Sequence, residues 1–438
     1  MKKSDFGNFC DWGIVYSMCA VIFFLPVSIA LLDSFAGLAI SFYFAKKIQN
    51  IIVEWPVSAA KTDLKGKLSF IWQGLCPPVN VLNLPLQLLS LAIFISVIFS
   101  QYPLLSLFAF FGKFIKCVFL YLCFLEVFNN EERIWTFLKF FMASAFIASV
   151  NGVIEHYIGK DLIKGQMLPG DRVNSVFQGA NEFGPYLLLA IALTVHFLYS
   201  LVSRYRSWPR IAALTFLLVL LLSCLCWTYS RSSWVGFLVI LLVMSFLDKR
   251  KALFSVVLFL IFIFIFLPSL NNVRHLRLIR DDNSVQNDQI TLNPLTLLSE
   301  GGSGRSSFWK KAVSIIRSSP IHGTGLNTYA RILKRDPTPN SQWYAHNSYL
   351  QVAAETGLVG LACYLWLLFV FLRYSLSYCK QLNDLWPLTI LQGGLAGLIG
   401  FLAQSFFDNS FFTVQLVVYM WLIMGLIMAV TRLKTRSS

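Results

Sequence analysis

Four residues with the chemistry to act on a phosphorylated substrate occur in polar segments beside long apolar runs: Arg172, Arg231, Arg305 and His346. An arginine guanidinium stays charged and can bind two phosphate oxygens at once, which suits an anionic substrate better than a lysine does. A histidine titrates near neutral pH and is well matched to take a proton from an attacking hydroxyl. Together they would form a cationic pocket that contains a proton acceptor.

Each of these residues also has an ordinary interpretation when it is taken singly. An arginine at a helix end, such as Arg231, commonly anchors the helix at the membrane interface. Arg172 and Arg305 could be solvated loop charges, and a histidine at a helix end, such as His346, is more often structural than catalytic. Their predicted convergence on one side of the membrane is what favours a shared pocket.

The elements that must position these residues are membrane helices. The chain has 438 residues, of which 57% are hydrophobic and 13% charged, and its mean hydropathy is +0.66. A soluble domain needs more charged surface than this. The apolar stretches are continuous and long enough to cross a bilayer, which takes roughly 20 helical residues. We therefore predict an all-α polytopic membrane protein.

About twelve stretches are predicted to span the membrane. They cover residues 12–32, 34–53, 82–100, 104–128, 134–157, 183–203, 209–229, 234–247, 252–270, 347–372, 386–407 and 411–430. Asp33 separates the first two so closely that we expect a hairpin there. This threading gives an N-terminal bundle of about nine spans over 1–270, a large outer loop over 271–345, and about three further spans over 346–438.

The basic residues predict the orientation of the bundle. The turns near residues 33, 101–103 and 408–410 contain no Lys or Arg, whereas the segments on the other side contain many. Because cytoplasmic loops are enriched in Lys and Arg, both termini are predicted to be cytoplasmic. The net charge of +15 is then explained by topology, and we expect no nucleic-acid partner.

The large outer loop is predicted to contain an amphipathic helix from Arg305 to Ser318. Its apolar residues recur at helical spacing, with Lys310, Lys311 and Arg317 on other faces. Such a helix is typical of one that lies at the membrane interface.

Three further sets of residues carry predictions of their own. Lys113 and Lys116 lie inside the fourth span at a spacing that places them on one helix face, and we expect them to line a substrate pocket. Glu355 lies deep in the tenth span and is interpreted as half of an internal ion pair. The nine cysteines include no CxxC pair, so we expect neither a disulfide framework nor a metal site.

The order and spacing of motifs over residues 304–360 resemble those of a known family. Arg305 begins an Arg-x-x-x-Trp motif, Pro320 begins Pro-x-x-Gly-x-Gly, and His346-Asn347 precedes Glu-x-Gly-Leu-x-Gly at Glu355. This pattern is similar to that of the O-antigen ligase and polymerase superfamily, also called the Wzy C-terminal domain family. The segments around Arg172 and Arg231, and the hydropathy profile, extend the resemblance over most of the chain.

The resemblance implies a glycosyltransferase of the GT-C type in the bacterial inner membrane, with its active site facing the periplasm. Such an enzyme moves a glycan en bloc from undecaprenyl diphosphate to an acceptor hydroxyl, and it uses neither a metal nor another cofactor. Arg231 and Arg305 would bind the diphosphate with Arg172 as a third member, and His346 would be the general base. Asn347 would orient His346 or bind sugar.

Several functions remain open at this stage. We favour a ligase that uses lipid A–core as acceptor, because the single large loop before His346 resembles that branch. A polymerase of O-antigen or exopolysaccharide, or a protein O-oligosaccharyltransferase, would use the same donor chemistry. A secondary transporter would place its polar residues near the membrane midplane rather than at one face. A purely structural membrane partner would leave the arginines and the histidine unexplained.

Overall fold

The computed structural model describes residues 3–58, 64–168, 172–205, 207–265, 308–333, 344–382 and 385–434. Within these ranges the chain is helical and has no β-strand, only one antiparallel bridge between Lys160 and Met167. The prediction of an all-helical, polytopic membrane protein is confirmed.

The helices are numbered in chain order. They are α1 Lys3–Phe24, α2 Ile29–Ser58, α3 Leu64–Leu75, α4 Asn83–Ile98, α5 Pro103–Ala109, α6 Lys116–Val127, α7 Glu131–Ile158, α8 Ala180–Ser200, α9 Trp208–Trp227, α10 Arg231–Leu247, α11 over 252–265, α12 over 308–318, α13 Tyr329–Leu333, α14 Ser348–Cys379, α15 Leu385–Gln404 and α16 Val414–Lys434. A π-helical turn, Phe110–Ile115, joins α5 to α6, so these two helices form one continuous rod.

Nine helical segments of the described chain are long and apolar enough to cross a membrane. Helices α4 and α10 are apolar but shorter, and the description of α11 stops at residue 265. These three correspond to the predicted spans 82–100, 234–247 and 252–270. The number twelve and the GT-C classification therefore remain predictions.

The turn between the first two helices differs from the predicted hairpin at Asp33. Helix α1 ends at Phe24, the next residues form a turn that contains Pro26, and Asp33 lies in the second turn of α2. Proline has no backbone N–H and disfavours helix continuation, which explains the earlier turn. Hydropathy alone missed it because Pro26 is surrounded by apolar residues.

The centre of the bundle is built from α8, α15 and α16, which are the most buried of the spans. Small residues allow these helices to approach closely. A Cβ atom added to Gly236 of α10 would lie 2.8 Å from the carbonyl oxygen of Gly400 in α15, so neither position has room for a side chain. The close contact fixes α10 against α15, and this places the N-terminus of α10 beside the C-terminus of α15.

Helix α12 lies within the predicted amphipathic segment Arg305–Ser318, and its apolar face packs against protein. Ala312 is fully buried and packs in a small cluster with Tyr329, Ala345 and Ala354. Lys310 is exposed on the opposite face. The expected interfacial helix therefore also serves as a cover over the start of α14.

Candidate functional site

Arg172 joins two of the motif segments. Its Nε donates to the carbonyl oxygen of Thr228 at 2.9 Å, and its Nη2 donates to Oδ1 of Asn181 at 2.6 Å. Thr228 precedes α10, and Asn181 lies in the first turn of α8. Arg172 therefore bridges the segments that begin these two helices.

The backbone of the loop that contains Arg172 is hydrogen-bonded to a buried carboxylate near the end of α7. Glu155 Oε2 accepts hydrogen bonds from the backbone N–H groups of Asn174 at 3.0 Å and Ser175 at 2.6 Å. Ser175 has a positive φ of 51°, an uncommon conformation for a residue other than glycine. These bonds fix the backbone immediately after Arg172.

Arg231 is the first residue of α10 and is exposed. The preceding turn is tight, since Tyr229 has a φ of 47°. Ser230, Ser232 and Ser233 turn their hydroxyls toward one another behind the arginine, at distances of 3.0–3.1 Å. A tightly bonded turn thus presents Arg231 at the helix N-terminus, where the backbone dipole also favours an anion.

His346 lies just before α14 and faces an acidic residue that sequence reasoning did not identify. Its Nδ1 is 3.6 Å from Oδ1 of Asp408, and its ring lies 5.5 Å from that of Phe308 in α12. His346 has a φ of 49°, so the backbone turns sharply there. The imidazole is partly exposed, whereas the carboxylate is nearly buried.

Asn347 begins α14 as its N-cap. Its side-chain oxygen accepts from the backbone N–H groups of Tyr349 and Leu350, both at 3.0 Å. An N-cap of this kind stabilises the first turn of a helix. The residue therefore fixes the turn that carries His346, and its suggested contact with sugar remains a prediction.

The loop between α15 and α16 contains Asp408 and is bonded to the start of α14. Ser348 donates its backbone N–H to the carbonyl oxygens of Ser405 at 2.9 Å and Asp408 at 3.1 Å. Its hydroxyl also donates to the Asp408 carbonyl at 2.7 Å. These bonds fix the position of the Asp408 loop relative to the start of α14, next to His346.

The same loop connects His346 with the segments of Arg172 and Arg231. Gln404 donates to the hydroxyl of Ser232 at 3.5 Å and accepts from that of Ser410 at 2.6 Å. Thr413 donates to Glu182 of α8 at 3.4 Å. The N-termini of α8, α10, α14 and α16 therefore meet at one face of the bundle, which we call the His346 face.

Among the described residues, no salt bridge to Glu355 matches the ion pair expected from the sequence, although Lys113 lies near enough to attract the carboxylate. The Glu355 carboxylate accepts from the backbone N–H groups of Asn327 at 2.6 Å and Tyr329 at 3.2 Å, and from Gln351 at 3.4 Å. Backbone amides satisfy the charge because segment 320–329 folds against the first turns of α14. Further backbone bonds join Thr324 to Ala354 and Leu358 to Pro320.

The two lysines of the fourth predicted span have different surroundings. Lys113 Nζ donates to Oδ1 of Asn327 at 2.8 Å and lines a crevice beside Glu355. Lys116 pairs with Asp33 of α2. Their bonded partners differ, although both lysines line one small space beside Phe411 and Val417.

Arg305 lies outside the described residues, so its predicted role stays a prediction. Asp408 and Glu155 are the residues that sequence reasoning missed. Asp408 stands in a short loop without Lys or Arg, and an acidic residue beside two apolar spans was the available signal. In the part of the chain that the structure describes, no cluster of three His, Cys, Asp or Glu side chains could hold a metal ion.

The match to a known family covers the centre of this site. The family model described as O-Antigen ligase matches residues 216–365. The matched region begins in α9 and contains Arg231, His346 and Glu355, whereas Arg172 and Asp408 lie outside it. The resemblance predicted from the motifs is thus confirmed. No curated protein matches the chain.

Proposed function

We propose that this protein is a glycosyltransferase that moves a glycan from a polyprenyl diphosphate to an acceptor hydroxyl. The observation that carries the proposal is the His346–Asp408 pair, which lies beside the N-termini of several helices within and next to the matched region. A proton acceptor beside an anion-attracting surface is the arrangement that such a transfer needs.

In the proposed reaction the acceptor oxygen attacks the sugar C1 while the bond from C1 to the diphosphate oxygen breaks. The acceptor proton passes to Nε2 of His346, because Nδ1 faces the Asp408 carboxylate. That carboxylate stabilises the imidazolium that forms, as a third group does in other nucleophile–base arrangements. The diphosphate leaves with its bonding electron pair, and Arg231, Arg305 and Arg172 stabilise its charge.

The acceptor and the cellular location belong to the same proposal. We favour ligation to lipid A–core in the bacterial inner membrane, with the His346 face in the periplasm and both termini in the cytoplasm. The distribution of Lys and Arg supports this orientation. A polymerase or a protein O-oligosaccharyltransferase would use the same donor chemistry with a different acceptor.

The reaction is tested with purified protein, a polyprenyl-diphosphate glycan and lipid A–core in detergent, without ATP. We expect transfer by the wild-type protein and a loss of roughly 10²–10³-fold in Arg231→Ala, since one electrostatic donor contributes about that much to catalysis. Arg210→Ala is the matched control, because Arg210 is an exposed arginine at the N-terminus of α9. Flux of the lipid-linked glycan into proteoliposomes without transfer would instead indicate a transporter.

A gene deletion separates the two main acceptors. Loss of all polymer from lipid A, with long chains left on the carrier, is expected for a ligase. Lipid A capped with single repeat units would instead show that the protein is a polymerase.

A further inference from the structure

An apolar crevice runs beside the His346 face, between α4, the π-helical turn, α14 and α16. Its volume is about 100 Å³, and its walls include Leu89, Phe114, Tyr364 and Trp421. A second, smaller space of about 10 Å³ shares Lys113, Phe411, Phe412 and Val417 with it, and Lys116 also lines this space.

The crevice lies against the short loop that contains Asp408. Phe411 and Phe412 line the crevice and follow Asp408 by only a few residues. Phe411 also contacts Tyr349, which lies in the first turn of α14, with ring centroids 5.3 Å apart. A molecule in the crevice would therefore touch the loop that holds the carboxylate against His346.

The polar end of the crevice is formed by Lys113, Asn327 and Glu355. An ammonium group has three N–H donors, and Asn327 accepts from one of them. Both oxygens of Glu355 already accept other hydrogen bonds. Lys113 and Glu355 attract each other electrostatically, but no salt bridge joins these two described residues. A lysine inside a membrane span is costly unless a partner compensates its charge, and such residues commonly mark a binding site.

We propose that this crevice binds the first isoprene units of a polyprenyl diphosphate, with Lys113 donating to a phosphate oxygen. Apolar and aromatic walls suit an isoprenoid chain, and a single ammonium suits the charged end of the same molecule. The assignment deepens the proposed function, on which it rests, by identifying where the donor lipid lies. Lys116, which pairs with Asp33, lines only the smaller adjoining space.

Binding of geranylgeranyl diphosphate to the purified full-length protein tests the assignment, with no acceptor present. We expect Lys113→Met to weaken this binding about tenfold, as the loss of a charge-assisted hydrogen bond would. Geranylgeraniol, which lacks phosphate, should bind both proteins equally. Inorganic diphosphate, which lacks the chain, should bind at least tenfold more weakly than the lipid. Lys139→Met is the control, since Lys139 is an exposed lysine in α7.

A second variant tests the apolar walls. Val417→Trp should fill the crevice and weaken the binding of geranylgeranyl diphosphate and of geranylgeraniol alike. The unfolding temperature of this variant should stay close to that of the wild type. A photoreactive geranylgeranyl diphosphate should label residues of α4, α14 or α16 around the crevice. Unchanged affinity in folded Lys113→Met and Val417→Trp, or labelling elsewhere, would overturn the assignment.

The outcome is distinguishable from failure of the proposed function. Glycan transfer by wild-type protein together with unchanged binding in both variants would refute only the crevice. If the wild-type protein transfers no glycan but its binding of geranylgeranyl diphosphate depends on Lys113, the proposed function is refuted. The assignment of the crevice as a lipid site then still holds.

Discussion

Two buried glutamates, Glu155 and Glu355, act at the level of single residues to hold the backbone of the motif segments. Each accepts hydrogen bonds from two backbone N–H groups, those of Asn174 and Ser175 in one case and of Asn327 and Tyr329 in the other. A buried N–H without an acceptor costs free energy, so each carboxylate stabilises one specific loop conformation. These contacts explain why acidic side chains occur within apolar helices.

Replacing Glu355 by alanine should destabilise the protein. The backbone N–H groups of Asn327 and Tyr329 would lose their acceptor, and a buried unsatisfied donor costs about 1–3 kcal/mol. We expect a lower thermal unfolding temperature and faster hydrogen exchange at these amides. Glu355→Gln, which keeps one acceptor oxygen, should lose less stability. Equal exchange rates in the wild type and Glu355→Ala would contradict the assigned contacts.

At the level of elements, the important feature is a break near the start of α14. Gly357 has a φ of 73°, and a Cβ atom there would lie 2.0 Å from the carbonyl oxygen of Ile321. The break lets segment 320–329 approach the helix backbone, and Gly323 packs equally closely against Glu355 from the other side. The glycines of the two sequence motifs therefore form one packed unit.

Substitution of Gly357 by alanine should disrupt this unit. The left-handed conformation costs about 1–3 kcal/mol in a residue other than glycine, and the contact with a backbone atom adds to that cost. We expect a clearly lower unfolding temperature in detergent. Gly37→Ala is the control, because Gly37 lies inside α2 with open space around its Cα. Similar unfolding temperatures for both variants would show that the close packing is not maintained.

Hydropathy predicted the helices well because a membrane span must be long, apolar and helical. It placed the first turn wrongly at Asp33, and it did not identify α3, since short helices outside the spans lack such a requirement. The motif segments around Arg172, Arg231 and His346 are linked by hydrogen bonds in the structure, and the roles of these residues stay predictions. Asp408 was missed because its relation to His346 is a long-range contact, which spacing within either segment does not encode.

At the scale of the whole molecule, a buried lysine contacts several helices on the side of the bundle opposite His346. Lys251 lies between α10 and α11, donates to Gln392 of α15, and sits 5.3 Å from the centre of the Tyr199 ring of α8. Burial lowers the pKa of Lys251 to about 8, and the Asp248 carboxylate partly opposes this shift. One charge therefore connects four elements of the bundle.

This lowered pKa predicts a specific dependence of stability on pH. Between about 8 and the ordinary value of 10.5, the unfolded chain keeps a proton that the folded chain has lost. The free energy of unfolding should therefore rise with pH between these two values. Below this range the folded protein bears the full cost of burying the Lys251 charge. We expect the unfolding temperature of the wild type to rise relative to that of Lys251→Met between pH 8 and 10. A constant difference between them would contradict the lowered pKa.

The central claim for the whole molecule is that His346, oriented by Asp408, takes the acceptor proton at the face where the helix N-termini meet. The most direct measurement is the single-turnover transfer rate at saturating polyprenyl-diphosphate glycan, with folding checked by thermal unfolding. We expect His346→Ala to lose about 10²–10⁴-fold in rate, the usual contribution of general base catalysis, and Asp408→Asn to lose less. A folded His346→Ala protein that transfers glycan at the wild-type rate would show that another group takes the proton.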